Sequence, residues 1–283
     1  MPRTSTTEVT TWGGALDWTK RFKWSKLKSP ETCHTYSSYF TKAYGRSMKL
    51  QDAAKGYFWM EYQAELQEKH PKWSNATVNR AVSAAVTCIK VTHKAGLHDV
   101  RVPDFDRLPE GEARLHWFTK DQVDQLAQAS EDRLADAILV SAYTGCRQGE
   151  LLRLKSDDVD VAAGLLWIGG KPTCETKGRN VRAIPIHPKI EAVLLNRLDQ
   201  EFLFKNDWAN KDQLYNAFKK VRAACGISRD YVWHSLRHSF ATWLGEHNHP
   251  RAVMELCGHA DISTTLRYMK PTDQATKAAI LSL

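Results

Sequence analysis

Strand-forming patterns occur in only one part of this chain, and this confines it to a mainly helical class of fold. Two short runs of apolar and β-branched residues, 164–169 and 181–186, flank a polar stretch that contains residues 176–180. Runs of this kind on either side of a turn predict a small antiparallel hairpin with a long turn. Elsewhere, apolar residues recur at three- and four-residue steps, which indicates amphipathic helices. We therefore predict a mainly α fold with a small antiparallel β-sheet, an α+β class.

Capping residues mark where several of these helices begin and end. Ser74 and Gly96 are a suitable N-cap and stop for a helix at 75–95. Thr119, with Gln122 three residues later, forms a capping box that opens another helix. The same periodicity predicts the remaining helices at 31–44, 51–69, 131–143, 188–199, 211–225, 234–246, 250–257 and 261–269.

A break in the periodicity divides the chain into two domains. Between Val102 and Trp117 the sequence carries two prolines and a glycine and loses its regular apolar spacing, which is typical of a linker. We place the linker at 108–116, after a helical domain at 21–107 and before a second domain at 117–283. Residues 1–20 are rich in Thr and Ser and are predicted to be a flexible tail.

The positive charge is concentrated in the first domain. Residues 1–108 hold 17 Lys and Arg against 10 Asp and Glu, whereas the remainder holds 23 against 22. Such a charge favours attachment to a nucleic acid, and it also serves to keep a small helical domain soluble. The densest basic run is interleaved with Phe22 and Trp24, so it can follow DNA phosphates or form the solvated entry to a helix. We predict that its cations bind DNA: Lys20, Arg21, Lys23, Lys26 and Lys28.

The composition argues against several other classes of protein. The longest apolar runs are well short of the ~20 residues that a membrane span needs, and the start of the chain lacks the apolar core of a secretory signal. The six cysteines form no Cys-x-x-Cys pair, which argues against a disulfide framework and a zinc ribbon. We expect a protein of the cytoplasm with reduced thiols, no membrane association, no metal and no cofactor.

Candidate catalytic residues are ordered along the second half of the chain. Arg147 lies in Thr-Gly-Cys-Arg-Gln-Gly-Glu-Leu, and His234 and Arg237 lie in His-Ser-Leu-Arg-His. His259 ends Cys-Gly-His, and Tyr268 follows it by nine residues. Attack on a DNA phosphodiester builds negative charge on its non-bridging oxygens, which the planar, permanently charged guanidinium group binds well. Cations that precede one late tyrosine therefore suggest a phosphate held for attack by a phenol.

Local spacing supports this interpretation. Arg237 follows His234 by three residues, so one helix would present both side chains on the same face. Arg147 follows the predicted helix stop Gly145 and begins the next helix. A free phenol has a pKa near ~10, so Tyr268 needs a base and a positive field, and His234 beside two arginines can supply both.

Each of these residues also has an ordinary structural interpretation. Arg147 can form a surface ion pair with Glu150, and the other arginine can be exposed. A histidine can cap a helix end, and a tyrosine can pack half-buried in a core. By residue type alone, three other tyrosines compete as the nucleophile: Tyr143, Tyr215 and Tyr231.

The order and contexts of these motifs resemble the tyrosine recombinases, the phage integrase family of DNA strand-exchange enzymes. The resemblance covers 117–283 motif by motif and the N-terminal part by general character. It implies that Lys177, in the predicted hairpin turn, protonates the departing 5′ oxygen, although Lys171 and Arg179 are rival donors. We interpret Arg153, Arg179 and Arg182 as solvated residues or contacts to the DNA backbone. The resemblance implies this catalytic set: Arg147, Lys177, His234, Arg237, His259 and the nucleophile Tyr268.

The family also implies an activity and an assembly. A helical core-site DNA-binding domain and a catalytic domain would form a C-shaped clamp on double-stranded DNA attachment or core sites. The enzyme would cleave and rejoin DNA through a 3′-phosphotyrosine without metal or ATP, as a homotetramer that exchanges strands through a Holliday junction. A C-terminal helix at 271–283 would dock on a neighbouring protomer or on its own chain.

Several alternatives remain within and beyond this resemblance. The chain can be a phage-type integrase or a chromosome-dimer resolvase, in the cytoplasm or nucleoid of a bacterial host. Accessory DNA-bending or directionality proteins can assist it. A type IB topoisomerase uses similar residue types to relax supercoils, and a DNA-binding regulator can keep the fold without chemistry.

Overall fold

The computed structural model describes residues 8–27, 29–111, 115–171 and 181–269, together with residue 281. The chain folds as two compact units, Met1–Ala113 and Arg114–Leu283. Each unit has its own hydrophobic core. The fold class expected from the sequence is confirmed, since the described residues are mainly helical with one small antiparallel sheet.

The N-terminal unit is a bundle in which the longest helix packs against the other three. Its core is unusually aromatic, with Trp12, Phe40, Trp59 and Tyr62 fully buried. The helix expected at 51–69 is interrupted, because Lys55 is extended and separates a 3-10 turn from the helix that follows. The helices are α1 (Trp12–Phe22), α2 (Glu31–Tyr44), α3 (Gly56–Lys69) and α4 (Asn75–Lys94), with 3-10 turns at Trp24–Lys26 and Leu50–Ala54.

The prediction of a flexible tail at 1–20 is wrong for residues 12–20, because α1 begins at Trp12. Trp12 and Leu16 lie one turn apart and are buried in the core of the unit. The glycines at the start of α1 weaken its helical signal, but one of them serves packing. A Cβ atom at Gly13 would lie only 2.9 Å from the carbonyl oxygen of Arg46.

The predicted linker, 108–116, includes residues at its start that the structure attaches to the N-terminal unit. The extended segment after α4 stays attached to the N-terminal unit through side-chain amides of that helix. The Asn79 amide donates to the Leu108 carbonyl oxygen at 2.9 Å, and the Asn75 amide donates to the Pro109 carbonyl oxygen at 2.8 Å. By satisfying carbonyl groups of the extended backbone, these amides hold the segment in place.

The C-terminal unit combines eight helices of the described ranges with a three-stranded sheet. The strands pair antiparallel in the order β1-β2-β3, with Val159 opposite Leu166 and Leu166 opposite Ile184. The sequence patterns predict the second and third strands but not the first, which has only two residues. The elements are α5 (Lys120–Gln128), α6 (Asp132–Thr144), α7 (Gln148–Leu151), β1 (Val159–Asp160), β2 (Leu165–Ile168), β3 (Arg182–Pro185), α8 (Pro188–Leu195), α9 (Lys211–Ala224), α10 (Trp233–Gly245), α11 (Pro250–Cys257) and α12 (Ile262–Leu266).

Helix α6 is the centre of this unit and packs against α5, α8, α9 and α10. Helix α10 also packs against α11, and α11 contacts both β3 and α12. The capping box at Thr119 and Gln122 is present at the start of α5, as expected. The C-terminal helix expected at 271–283 lies outside the described residues, apart from Leu281. Within the described ranges, none of the helices combines the length and apolar character that crossing a bilayer requires.

Candidate active site

Arg147 is presented by a sharp turn between two helices. Helix α6 ends at Gly145, which has a left-handed backbone with φ of 60°. A Cβ atom there would lie 2.4 Å from the ring of Phe240, so both the conformation and the contact require glycine. Arg147 then caps α7, and Glu150 accepts its backbone N–H at 2.8 Å and its guanidinium at 2.8 Å. The Arg147 side chain is 44% exposed, so it combines the surface ion pair with access to a ligand.

Arg182 is not the solvated DNA-backbone residue that the sequence suggests. It is only 7% exposed, and its guanidinium donates to the second carboxylate oxygen of Glu150 at 3.0 Å. Its position at the start of β3 directs the side chain inward, on the same face as Ile184. Burial opposes ionisation of Glu150, but Arg182 and then Arg147 lower the pKa of this carboxyl group to about 2. Glu150 is therefore an anion that bridges two arginines.

Arg237 connects the two turns that present the other site residues. Its side chain is buried, and its guanidinium donates to the carbonyl oxygen of Gly145 at 2.6 Å and to that of Cys257. Both acceptors lie two residues before a predicted catalytic residue, Arg147 and His259. Burial, followed by the charges of Arg147 and Arg182, lowers the pKa of Arg237 to about 10, so the group stays protonated at neutral pH. It is therefore not the exposed arginine of the ordinary interpretation.

Tyr268 contacts a histidine that the sequence interpretation did not assign. Its phenolic oxygen lies 2.6 Å from Nδ1 of His238, within hydrogen-bonding distance. His234, the predicted base, lies one turn earlier on α10, and its ring meets that of His238 edge-on with centroids 4.7 Å apart. The spacing of four residues in the His-Ser-Leu-Arg-His motif is the signal that could have identified His238.

His259 follows α11 and lies beside the same tyrosine. The helix ends at Gly258, which is left-handed with φ of 64° and turns the chain towards the site. Nδ1 of His259 lies 2.9 Å from the hydroxyl oxygen of Thr265, and this contact orients the ring. The rings of His259 and Tyr268 are nearly parallel, with centroids 5.9 Å apart and an interplanar angle of 18°.

The charges of the site follow from partial burial next to fixed cations. Burial, followed by neighbouring positive or titratable groups, lowers the pKa of His238 and of His259 to about 4. Loss of hydration and the charges of Arg237 and Arg147 also lower the pKa of His234. Burial raises the pKa of Tyr268, although Arg267 and Arg237 oppose this effect. At neutral pH the site therefore has neutral imidazoles, a protonated phenol and permanently charged arginines.

This arrangement suits a bound anion that gains charge during a reaction. The guanidinium of Arg147 is accessible, and the buried Arg237 adds positive potential behind it. Such fixed charges stabilise a developing oxyanion without reorganising. The four predicted residues Arg147, Arg237, His259 and Tyr268 thus come together from separate stretches of the chain, with His234 on the next turn of α10.

Three of the predicted cations, Lys28, Lys177 and Arg179, lie outside the described residues. Of the rival donors to Lys177, Lys171 forms an ion pair with Asp160 at 3.0 Å, which holds it against β1.

The basic run lies in the N-terminal unit, at the last turn of α1 and in the turn that follows. Trp24 is buried beneath this run, whereas Phe22 is exposed and lies under the guanidinium of Arg21. Among its cations, Lys20 is partly buried, and three are exposed: Arg21, Lys23 and Lys26.

Known proteins match the chain in sequence over most of its length. A model described as the phage integrase family matches residues 116–275. Tyrosine recombinase XerA of Thermococcus kodakarensis is 31% identical over 278 residues, covering 89% of this chain and 89% of that protein.

Two solved structures share the fold at lower sequence identity. A Tn1549 transposon integrase in complex with a circular intermediate DNA is 18% identical, with a TM-score of 0.79 over 97% of this chain and 99% of that one. A lambda integrase tetramer bound to a Holliday junction is 17% identical, with a TM-score of 0.68 over 94% of this chain and 79% of that one.

Proposed function

The chain belongs to the phage integrase family of tyrosine recombinases, and from this we propose that it breaks and rejoins duplex DNA by attack of Tyr268 on a backbone phosphate. The resemblance inferred from the motifs is thereby confirmed at the level of the family. The proposed product of the first step is a 3′-phosphotyrosine with a free 5′ hydroxyl.

One observation carries this proposal, namely that the phenol lies within the cluster of arginines and histidines. Tyr268 touches His238 and stacks on His259, while Arg237 ties the turn before His259 to the turn before Arg147. A nucleophile placed beside fixed cations is what in-line attack on a phosphodiester requires.

In the proposed reaction, Arg147 and Arg237 neutralise the two non-bridging oxygens as their charge grows, and His259 donates a hydrogen bond to one of them. The Tyr268 oxygen forms a bond to phosphorus and gives up its proton, and the bond from phosphorus to the 5′ oxygen breaks. His234 is the proposed acceptor of the phenol proton. Lys177 is the proposed donor to the 5′ oxygen, because an alkoxide is a poor leaving group unless it is protonated.

The covalent step supports rejoining without an external energy source. The phosphotyrosine keeps the energy of the broken phosphodiester, so a 5′ hydroxyl from either strand can reverse the attack. We therefore propose that the reaction needs neither ATP nor a metal ion, with the arginines in the place that a metal takes in other phosphoryl transfer enzymes.

We further propose that the chain acts as a tetramer on two DNA sites and exchanges strands through a Holliday junction. The lambda integrase structure, which has the same fold, is a tetramer on such a junction. The basic run of the N-terminal unit supports attachment to duplex DNA, and accessory DNA-bending or directionality proteins can act on that complex.

The test uses nicked suicide duplexes carrying candidate attachment sites, which trap the covalent intermediate because the cleaved end diffuses away. We expect wild-type protein to form a denaturant-resistant adduct with DNA and Tyr268→Phe to form none while binding DNA normally. Tyr215→Phe is the matched control, since that tyrosine packs beside Phe218 away from the cluster. An undiminished adduct in the Tyr268→Phe variant would remove the assignment.

Product analysis separates this proposal from its nearest alternative. A recombinase joins ends from two DNA sites, whereas a type IB topoisomerase relaxes supercoils on one molecule. Relaxation without recombinant product in an assay with two sites would favour the topoisomerase. Comparing intermolecular insertion with resolution of head-to-tail repeats would then distinguish an integrase from a chromosome-dimer resolvase.

A further inference from the structure

His238 contacts the proposed nucleophile, but the reaction described above gives it no role. We propose that His238 is the positioning residue for Tyr268, holding the phenolic oxygen in the site so that it can attack the phosphate. This inference rests on the proposed function of Tyr268.

Helix α10 holds Tyr268 at two separate points. At its C-terminal end, Gly245 lets the main chain of Tyr268 approach closely, since a Cβ atom at position 245 would lie 2.9 Å from the Tyr268 carbonyl oxygen. One to two turns earlier on the same helix, Nδ1 of His238 meets the phenolic oxygen at 2.6 Å. The main chain and the phenolic oxygen of Tyr268 thus both contact the same helix, α10.

The two partners differ in how firmly the fold fixes them. His238 lies between Arg237 and Ser239, which are both buried, and Ser239 accepts the Phe118 backbone N–H at 2.8 Å. Tyr268 instead follows α12, a helix of only five residues, and is half-buried. The hydrogen bond therefore gives the Tyr268 side chain a partner on the well-packed α10 in addition to its attachment after the short α12.

The surroundings of the imidazole favour positioning over proton removal. Burial is the main reason that a positive charge on His238 is disfavoured and its pKa lowered, and four neighbouring groups add to this effect: His234, Arg237, Arg267 and His259. With its hydrogen on Nδ1, a neutral imidazole donates a hydrogen bond to the phenolic oxygen, which leaves the phenol hydrogen for the proposed acceptor His234. His238 is also a weak base for a phenol whose own pKa burial has raised. Orientation of the attacking atom is in itself a large part of such a rate.

The chemistry of the contact suggests three substitutions. His238→Phe keeps an aromatic ring of similar size but removes the hydrogen bond. His238→Asn places a side-chain amide close to the position of Nδ1, whereas His238→Gln places its amide near the position of Nε2. A packing role predicts that Phe is the best replacement, and a positioning role through Nδ1 predicts that Asn is.

We expect His238→Phe to lower the rate constant of adduct formation on saturating suicide DNA about 100-fold. DNA affinity should stay the same, because the residue acts through Tyr268. His238→Asn should recover the rate to within about tenfold of wild type, and His238→Gln should not. His247→Asn is the control, since that histidine is exposed just beyond α10.

The outcomes distinguish the two proposals. Absence of an adduct with wild-type protein on authentic sites would contradict the proposed function itself. An adduct in wild type together with an unchanged rate in His238→Phe would overturn the role of His238 alone. If the Phe variant is unstable to urea, the Asn and Gln variants decide, and equal rates for these two would also overturn it.

Discussion

The two units of this protein place their charged groups in opposite ways. The N-terminal unit buries an aromatic cluster that includes Trp12, Phe40 and Trp59, while the cations of its basic run stay on or near the surface. The C-terminal unit buries Arg182 and Arg237 within its fold and shields Glu150 between two guanidinium groups.

The contrast shows that the groups that stabilise a unit differ from the groups predicted to carry its function. Burial of apolar rings stabilises the first unit, so its surface cations are not needed for the core and can serve the DNA contact predicted for them. In the second unit, buried charges cost desolvation energy and need several partners, so they contribute little net stability but create a preorganised field. Substitution of surface cations should therefore affect mainly affinity in the first unit and mainly rate in the second.

The largest expected effect comes from Arg147 in the second unit. We expect Arg147→Ala to lower the rate of adduct formation about 1000-fold, because its charge acts most strongly as the phosphate gains charge. DNA affinity should fall less than about tenfold. Single-turnover cleavage and fluorescence anisotropy measure the two quantities.

Arg153→Ala is the matched control, because Arg153 is an exposed arginine of the same region. Equal losses of rate and affinity in Arg147→Ala would make Arg147 an anchor and would remove the contrast between the units.

A smaller effect is expected from pH. His238 and His259 have pKa values of about 4 in the folded protein, below their ordinary value, so the unfolded chain binds more protons between about pH 6.5 and 4. The free energy of unfolding of the C-terminal unit should therefore fall as the pH is lowered through this range. For these half-buried groups we expect a loss on the order of 2 kcal/mol between pH 7 and pH 5.

Hydrogen exchange pulses in urea, analysed by mass spectrometry, follow the two units separately. The free energy of unfolding of the N-terminal unit should fall less over the same pH range. In that unit, burial lowers the pKa of His98. Replacing both His238 and His259 with Asn should flatten the pH dependence of the second unit. An equal loss in both units would contradict the contrast.

The smallest effect is expected for the basic run. Changing Arg21, Lys23 and Lys26 together to Gln should weaken DNA binding about tenfold at moderate salt, with a slope of log affinity against log salt shallower by about 3. The rate of adduct formation at saturating DNA should not change. A matched triple at Lys42, Lys69 and Lys72 should weaken binding less, and an equal loss there would show that only net charge matters.

Much of this architecture could be predicted from local signals. The helix at 75–95 was predicted from an apolar stripe between a Ser cap and a Gly stop, and its bounds agree with α4 within a residue. Arg147, Arg237, His259 and Tyr268 are predicted from the order and local contexts of their motifs, which resemble the tyrosine recombinases, and their catalytic roles stay a prediction. Caps, spacing and motifs depend on neighbours in sequence, so they can be seen without a structure.

The errors arise where a residue's partner is distant in sequence. Arg182 is predicted from the sequence to be a solvated residue or a contact to the DNA backbone, although its alternation with Ile184 on β3 indicates an inward side chain. The four-residue spacing from His234 could have drawn attention to His238, but its contact with Tyr268, 30 residues later, is seen only in the structure. Helix α1 was missed because Gly13 and Gly14 lower its helical propensity, and their packing compensates for this.

The planar guanidinium group of Arg237 donates to two carbonyl groups at once, those of Gly145 and Cys257. Because one planar group satisfies the end of α6 and the end of α11 together, neither end can fray without exposing a buried cation. We therefore expect the turns that carry Arg147 and His259 to open together rather than separately. Under the proposed function, this coupling would keep a phosphate from meeting only part of the cation cluster.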